Sequence, residues 1–271
     1  MLDVSISTWN INSVRLRIDL VTHFLETQKP DILCLQETKC MNGQFPHGPF
    51  RKLGYEHHVI NGQKGYHGVA ILSRFPLEEE DSLVFCDKPD ARHASALIKT
   101  PHGPLRIHNF YVPAGGDIPD AEANEKFAHK LGFLEEMRAW GKREKSSGIP
   151  TVLVGDLNVA PLEHDVWSHK QMLKIVSHTP METERMLAAI SDGGWVDAMR
   201  HLIPEPEKLY TWWSYRAADW AASDRGRRLD HIWITPDLVS SLDGMTILRE
   251  ARGWERPSDH VPVILNLKRQ G

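Results

Sequence analysis

The chain is short of several things that other protein classes depend on. It has three cysteines in 271 residues. An odd, low count excludes a disulfide framework, and Cys40 and Cys86 have no metal-ligand spacing, so a structural zinc site is not supported either. Cys34 lies in an apolar run and reads as a small buried hydrophobe. This usage predicts a reducing, cytoplasmic setting. No apolar stretch approaches the ~20 residues that span a bilayer, so no membrane partner is expected. The start, Met1-Leu2-Asp3, lacks the basic segment and apolar core of a signal peptide. Positive charge is also in deficit: 36 Asp and Glu outweigh 32 Lys and Arg, for a net charge of −4. A protein that wraps nucleic acid through a global positive field is normally basic, so any such binding here must use a local patch. Arg225-Gly226-Arg227-Arg228, with Arg249, Arg252 and Arg256 further on, is a candidate. By itself a solvated loop is the simpler account of it. Finally, no Gly-x-Gly-x-x-Gly or P-loop follows a strand-like run, which argues against a nucleotide-cradling fold.

What the chain does contain is a series of short strand-like runs: Val4–Trp9, Ile32–Gln36, Gly68–Leu72, Ala94–Ile98, Leu105–Val112, Thr151–Val154, Leu229–Thr235 and Val261–Leu267. Ile107, Asn109 and Tyr111 alternate with His108 and Phe110, the period of a strand. Helices are expected between them. Ser13 is placed to cap one whose apolar positions are Val14, Ile18, Val21 and Leu25, with Pro30 beyond its end. Phe127, Leu131, Leu134 and Trp140 mark a second, ended by Ser146-Ser147-Gly148. Thr179-Pro180-Met181-Glu182 is a capping-box start for a third, which ends near Gly193-Gly194. No linker or composition break divides the chain, so one domain over residues 1–271 is expected. Strands in both halves with few helices between predict an α/β protein of two packed sheets covered by helices.

Several of these runs end in polar side chains. Thr151-Val152-Leu153-Val154-Gly155-Asp156-Leu157-Asn158 ends in a carboxylate and a carboxamide two residues apart, which point the same way in an extended chain. Asp31-Ile32-Leu33-Cys34-Leu35-Gln36-Glu37 ends in another carboxylate, and Ser258-Asp259-His260 precedes a run. Asn10, Tyr111 and Asp230 occupy comparable tips. Each has a plain alternative. Asp156 and Asn158 could satisfy a turn, as could Asp259, and Tyr111 could be a packing residue. With 15 histidines present, a single one is more often structural. Together, though, the tips form a hard-oxygen donor set without Cys–His pairing. Such a set favours Mg²⁺ or Mn²⁺, and with it phosphate-ester hydrolysis.

The neighbours of these residues carry a resemblance. Trp9-Asn10-Ile11-Asn12, Gln36-Glu37-Thr38-Lys39, Gly62-Gln63-Lys64-Gly65, Asn109-Phe110-Tyr111-Val112-Pro113, Gly155-Asp156-Leu157-Asn158, Arg228-Leu229-Asp230 and Ser258-Asp259-His260 occur in this order along nearly the whole chain. The set resembles the exodeoxyribonuclease III family of abasic-site DNA endonucleases, within the endonuclease/exonuclease/phosphatase superfamily. The resemblance implies a DNase I-like, four-layered α/β sandwich of two packed mixed β-sheets flanked by helices, with the site at one edge. It implies that Glu37 is the principal Mg²⁺ ligand, helped by Asp259 and, directly or through water, by Asn10, with Asp156, Asn158 and His260 completing the surroundings of the metal. Asp156 would activate the attacking water and Asn158 would hold it. His260, oriented by Asp230, would face the scissile phosphate, and Tyr111 would touch the phosphate or the leaving oxygen. Trp212, Trp213 and Leu229 would line a pocket for a flipped-out sugar without its base. Arg227 departs from the pattern, because many relatives carry an apolar or aromatic residue there. The implied partner is duplex DNA with abasic sites or 3′ ends, and the implied state is a monomer. Two rival readings are a phosphatase or phosphodiesterase of the same superfamily acting on inositol lipids or sphingomyelin, and a catalytically silent DNA-binding module. The silent module would lack polar tips, and none is missing.

Overall fold

The run Val152-Leu153-Val154 divides its side chains between two apolar layers. Val152 and Val154 join Ile6, Ile32, Ile71, Ile107, Ile232 and Val263 in one core. Leu153 joins Phe110, Phe133, Leu134, Met186 and Trp233 in another. Strand periodicity thus lets one central strand serve two layers at once. The structure, a computed structural model, describes residues 4–101 and 103–268. Met1-Leu2-Asp3, on which the signal-peptide expectation rests, lies outside them.

Two six-stranded sheets face each other across the first of these cores. In one the strands run in the order Leu242–Ile247, Val263–Leu267, Val4–Asn10, Ile32–Gln36, Val69–Ser73 and His57–Asn61. In the other the order is Leu77–Asp81, His93–Thr100, Gly103–Tyr111, Thr151–Asp156, Asp230–Ile234 and Val196–Asp197. Each sheet has one parallel pair at its centre: Val4–Asn10 with Ile32–Gln36, and Gly103–Tyr111 with Thr151–Asp156. Parallel strands need a crossover, and each pair has a helix for it, Ile18–Gln28 and Glu125–Glu144. The first helix sets Phe24 and Leu25 against Trp9, Leu33 and Leu35. The second sets Phe133, Leu134 and Met137 against Phe110 and Leu153, and a further helix, Pro180–Gly193, packs beside it. Helix, sheet, sheet, helix is the expected four-layered α/β sandwich. Because both pairs are parallel, the ends at Asn10, Gln36, Tyr111 and Asp156 all lie where their strands finish.

Three expectations change. The first helix starts at Ile18, not beside Ser13, and its N-cap residue Arg17 makes no side-chain cap bond. The amides of Ile11, Ser13 and Val14 instead donate to the carbonyls of Gln36, Glu37 and Thr38, so tertiary bonds hold the segment open. The last strand starts at Val263, after Pro262, which has no N–H to give to a ladder. The edge strands His57–Asn61, Leu77–Asp81 and Leu242–Ile247 escape pattern reading because their side chains are largely half-buried or exposed. Leu77–Asp81 ends in four acidic residues, a sequence that guards an edge rather than filling a core. By contrast the Thr179 box forms: the Glu182 carboxylate accepts from the Thr179 amide and hydroxyl at 3.2 and 2.6 Å, and Gly194 closes the helix in the left-handed region.

Two local constraints fix the approach to the site. Gly155, at φ 145°, lies against the neighbouring strand, and a Cβ there would stand 1.9 Å from the Phe110 carbonyl oxygen. Arg228 is not part of a surface patch. It is fully buried, and its Nε and Nη2 each donate to Asp165 at 2.9 Å while Nη1 donates to Asp197 at 2.6 Å. Arg200 shares the Asp165 carboxylate, which the two guanidiniums hold below the usual range against the opposing effect of burial. The linkage sign follows from that lowering. Asp165 contributes stability above its unfolded pKa of about 3.9, and the contribution is lost as pH falls through the lower folded value. Asp165→Asn leaves two buried guanidiniums short of a partner. It is expected to cost ~3–5 kcal/mol, read as a lower urea midpoint at neutral pH with an unchanged slope.

Candidate active site

The strand tips converge through turns. The Thr151–Asp156 strand ends at Asp156, and Asn158 adopts φ 54°. The Asn158 amide N–H donates to Asp156 Oδ1 and its side-chain Nδ2 to Asp156 Oδ2, both at 3.1 Å. The Asx-turn account of this pair is therefore correct in its geometry, and the turn is what brings both polar groups to one place. The two side chains meet through a left-handed kink, not through the alternation of an extended chain. Glu37 follows its own strand at φ 49° in the same way. Non-glycine residues at positive φ are uncommon and concentrate where a site demands them.

Asn10 bridges the sheets. Its Nδ2 donates to Glu37 Oε1 at 3.0 Å and to Asp156 Oδ2 at 2.8 Å, while its Oδ1 accepts the Asn12 amide. Asp230 stands directly opposite Asp156 in the antiparallel ladder. Two carboxylates so placed repel. His260 relieves this: Nδ1 lies 2.8 Å from Asp230 Oδ2 and Nε2 lies 3.6 Å from Asp156 Oδ2. The loop that carries it is anchored by Trp9 Nε1, which donates to the His260 carbonyl, and by Ser258 Oγ, which donates to the Asn10 carbonyl. Thr211 Oγ1 accepts the amides of Leu229 and Asp230 and so aims Asp230 inward.

Burial sets the charge states. It pushes the Asp156 carboxyl up to about 7; His260 opposes the rise, while Asp230 and Glu37 add to it. For His260, burial works against the charged form, yet Asp230 and Asp156 outweigh it and lift the imidazole to about 10. Glu37 is half-buried. Desolvation there is overcome by hydrogen bonds from Asn10 and Lys39 and by the Lys39 charge, 2.9 Å away, which keep it an anion. Tyr111 rises well above its ordinary value through burial beside Glu37 and Asp156, so its hydroxyl keeps its proton.

A cavity of about 700 Å³ opens over these groups. Glu37, Tyr111, Asp156, Asn158, Asp259 and His260 line it, as do Trp212, Trp213, Arg227 and Leu229. Asn10 and Asp230 lie behind, wholly buried. Trp212 Nε1 donates to Asp259 Oδ2 at 2.9 Å, and Trp212 bridges His260 through its backbone. Trp213 is nearly all core, packed with Tyr210 and bonded to Asp224. The donor chemistry fits a hard divalent cation. Glu37 and Asp259 present half-exposed carboxylates to the cavity, and one buried carboxylate oxygen, Asp230 Oδ1, has no partner. Asp156, Asp230 and His260 also lie within 4.8 Å of one another, but the charged imidazole already stands between those two carboxylates.

Sequence reasoning missed Lys130. This fully buried cation donates to the carbonyls of Ala114 and Asn158 and pairs with Glu182, tying the site turn to the helices behind it. It sits in a helix of mixed polarity and leaves no local signal. Lys39 lay within the Gln36–Lys39 motif without a role; its Nζ bonds Glu37 and Asn12. Arg92 lies over the Tyr111 ring at 5.0 Å and was likewise unmarked.

Two stacked mixed sheets with a carboxylate–imidazole–carboxylate line at their edge define a sandwich-type phosphoester hydrolase. The chain belongs to the endonuclease/exonuclease/phosphatase family, whose pattern matches residues 7–260. Within it the chain is of the exodeoxyribonuclease III type. It is 29% identical to exodeoxyribonuclease III of Haemophilus influenzae, over 96% of this chain and 98% of that one. An AP endonuclease from Archaeoglobus fulgidus superimposes with a TM-score of 0.89 at 33% identity, covering 97% of this chain and 99% of its own. The 3′-5′ exonuclease NExo of Neisseria meningitidis gives 0.89 at 31% identity, with 98% and 100% covered.

The raised pKa of His260 has a readable sign. Its pairing adds stability that is full below the unfolded value of about 6.5 and is lost as pH rises through about 10. Nitrogen NMR of the metal-free protein at pH 8 is expected to show His260 as an imidazolium. In Asp230→Asn the same ring should titrate at a lower pH. A neutral ring at pH 8 in the unaltered protein would refute the assignment.

Proposed function

We propose that this chain is a Mg²⁺-dependent DNA repair phosphodiesterase that incises duplex DNA 5′ to an abasic site and leaves a 3′-hydroxyl. Residues 1–271 act as one catalytic domain, monomeric and in a reducing, cytoplasmic compartment. The observation that carries the reading is the buried Asp156–His260–Asp230 line beside Glu37, at the floor of a cavity walled by Trp212 and Leu229.

Asp156 takes the proton of the attacking water. A base raised toward 7 matches neutral pH, where it is both ionised in part and basic enough to act. Asn158 spends its Nδ2 on Val112 and Asp156, which leaves its oxygen to hold that water. His260, kept charged by Asp230, turns positive charge toward the phosphate as negative charge builds on its oxygens. Tyr111 keeps its proton and donates to the phosphate or the leaving 3′-oxygen. Glu37 and Asp259, with Asn10 directly or through water, would hold Mg²⁺ or Mn²⁺, which neutralises the phosphate and the leaving oxygen when bound. Trp212, Trp213 and Leu229 receive the base-less sugar, whose extrusion has less stacking to break.

Removal of blocking groups from 3′ ends, with 3′→5′ digestion, is a second reading. Arg227 favours it, since a guanidinium 4.9 Å from the Trp212 ring centre narrows the pocket. A Neisseria structure described as the 3′ phosphatase NExo bound to product DNA hairpin is 30% identical, with a TM-score of 0.89.

An end-labelled duplex with one abasic site, incubated with Mg²⁺ or with EDTA, separates the readings. Incision at the abasic site that EDTA stops is expected; trimming alone favours the second reading. Asp156→Asn should lower kcat by ~10³-fold or more with duplex binding retained, and incision at the unaltered rate would sink the mechanism. Glu37→Ala should raise the Mg²⁺ concentration for half-maximal rate by ~10–100-fold. Affinity for the duplex should fall ~10²-fold between about 50 and 200 mM salt as phosphate contacts release counterions, and a flat response would argue against DNA.

A further inference from the structure

The cavity holds more positive charge than the hydrolytic groups explain. Arg216, Arg225 and Arg227 all line it. Their neighbours Arg228 and Arg249 are neutralised by Asp165 and Asp224, but these three form no ion pair among the described residues. Arg225 lies over Trp167 at 4.7 Å and Arg227 over Trp212 at 4.9 Å, so both are held against cavity walls.

Arg227 is the most constrained of the three. It is half-buried, and its Nη1 donates to the Val176 carbonyl at 3.2 Å and to Ser177 Oγ at 3.0 Å. Neither bond uses Nη2, and Nε is buried without a partner. Nε and Nη2 form one edge of the guanidinium, two parallel N–H groups whose spacing matches a carboxylate. A buried donor left unmade is costly, so this edge asks for an acceptor. Its place in the fold says which one. Arg227 pairs with Trp212, and Trp212 bridges His260. Arg227 is thus two strand spacings, roughly 10 Å, from the histidine assigned to the scissile phosphate. That separation puts the free edge at whatever group the phosphate carries, not at the phosphate itself.

We propose that Arg227 is a specificity-determining residue that makes this cavity select a carboxylate on the group esterified to the scissile phosphate. The inference rests on the reading of the site as a DNA phosphodiesterase and names the kind of 3′ remnant it handles best. A neutral base-less sugar leaves the Arg227 edge unpaired; a carboxylate fills it with two charge-assisted hydrogen bonds.

The test uses two nicked duplexes that differ at one group. One ends in 3′-phosphoglycolate and the other in the neutral 3′-phospho-2-hydroxyethyl ester, of nearly the same size. kcat/KM is measured for both with Mg²⁺, for the unaltered enzyme, Arg227→Gln and Arg227→Lys. The unaltered enzyme should prefer the carboxylate by ~10-fold or more, Arg227→Gln should bring the ratio near one, and Arg227→Lys should keep part of it. A ratio within one preparation does not depend on how much of it is folded. Equal rates on both ends in the unaltered enzyme overturn the inference alone, as does a ratio unmoved in Arg227→Gln. Failure to cleave either end, or an internal abasic site, overturns the reading of the site and the inference with it.

Discussion

The burial of Asp156 is the constraint on which the rest of this structure depends. A carboxylate wholly removed from water must be protonated, paired or bonded on every side. Here it is held by Asn10 from the opposite sheet, by its own turn through Asn158, and by a histidine that a second buried carboxylate keeps charged. Each partner comes from a different strand end. The site is therefore also a bolt between the two sheets, and the sandwich must close before Asp156 has its chemistry. This links stability to function directly: the same burial that taxes the fold raises the Asp156 carboxyl into the range of a useful base.

Other buried polar pairs perform the same joining around it. Gln36 donates to Asn109 across the sheets at 2.7 Å, and Asn109 donates to the Leu35 and Ala70 carbonyls of the opposing sheet. Arg228 and Asp165 hold the chain just before Asp230. Lys130 and Glu182 hold the turn at Asn158 and the segment that carries Ser177. Apolar burial drives the layers together without choosing their register finely, whereas hydrogen-bonded pairs tolerate errors of only a few tenths of an ångström. The apolar layers thus make the sandwich, and these polar contacts align the strand tips within it.

The parts legible in the sequence are those written in local periodicity. Val152, Leu153 and Val154 read as a buried strand and are one, and the Thr179 box opens a helix as its spacing says. Polar residues at the ends of apolar runs, at Asn10, Glu37, Tyr111 and Asp156, were readable for the same reason. What failed locally failed for non-local causes. Ser13 has the chemistry of a cap, but hydrogen bonds to the Gln36–Thr38 strand end keep its segment out of the helix. Arg228 reads as one more residue of a basic loop, yet two carboxylates distant in sequence bury it.

By itself, then, the sequence determined the layers, the strand ends and, through motifs spread along nearly the whole chain, the class of reaction. Periodicity and residue chemistry are local properties, and one row of letters carries them. Only the tertiary structure decided which groups share a proton, which cation is buried and which faces the cavity. Charge state depends on desolvation and on partners up to 146 positions away, as between Asn10 and Asp156. For Arg227 the sequence marked a departure; the fold placed its unfilled edge beside the site, two strands from His260.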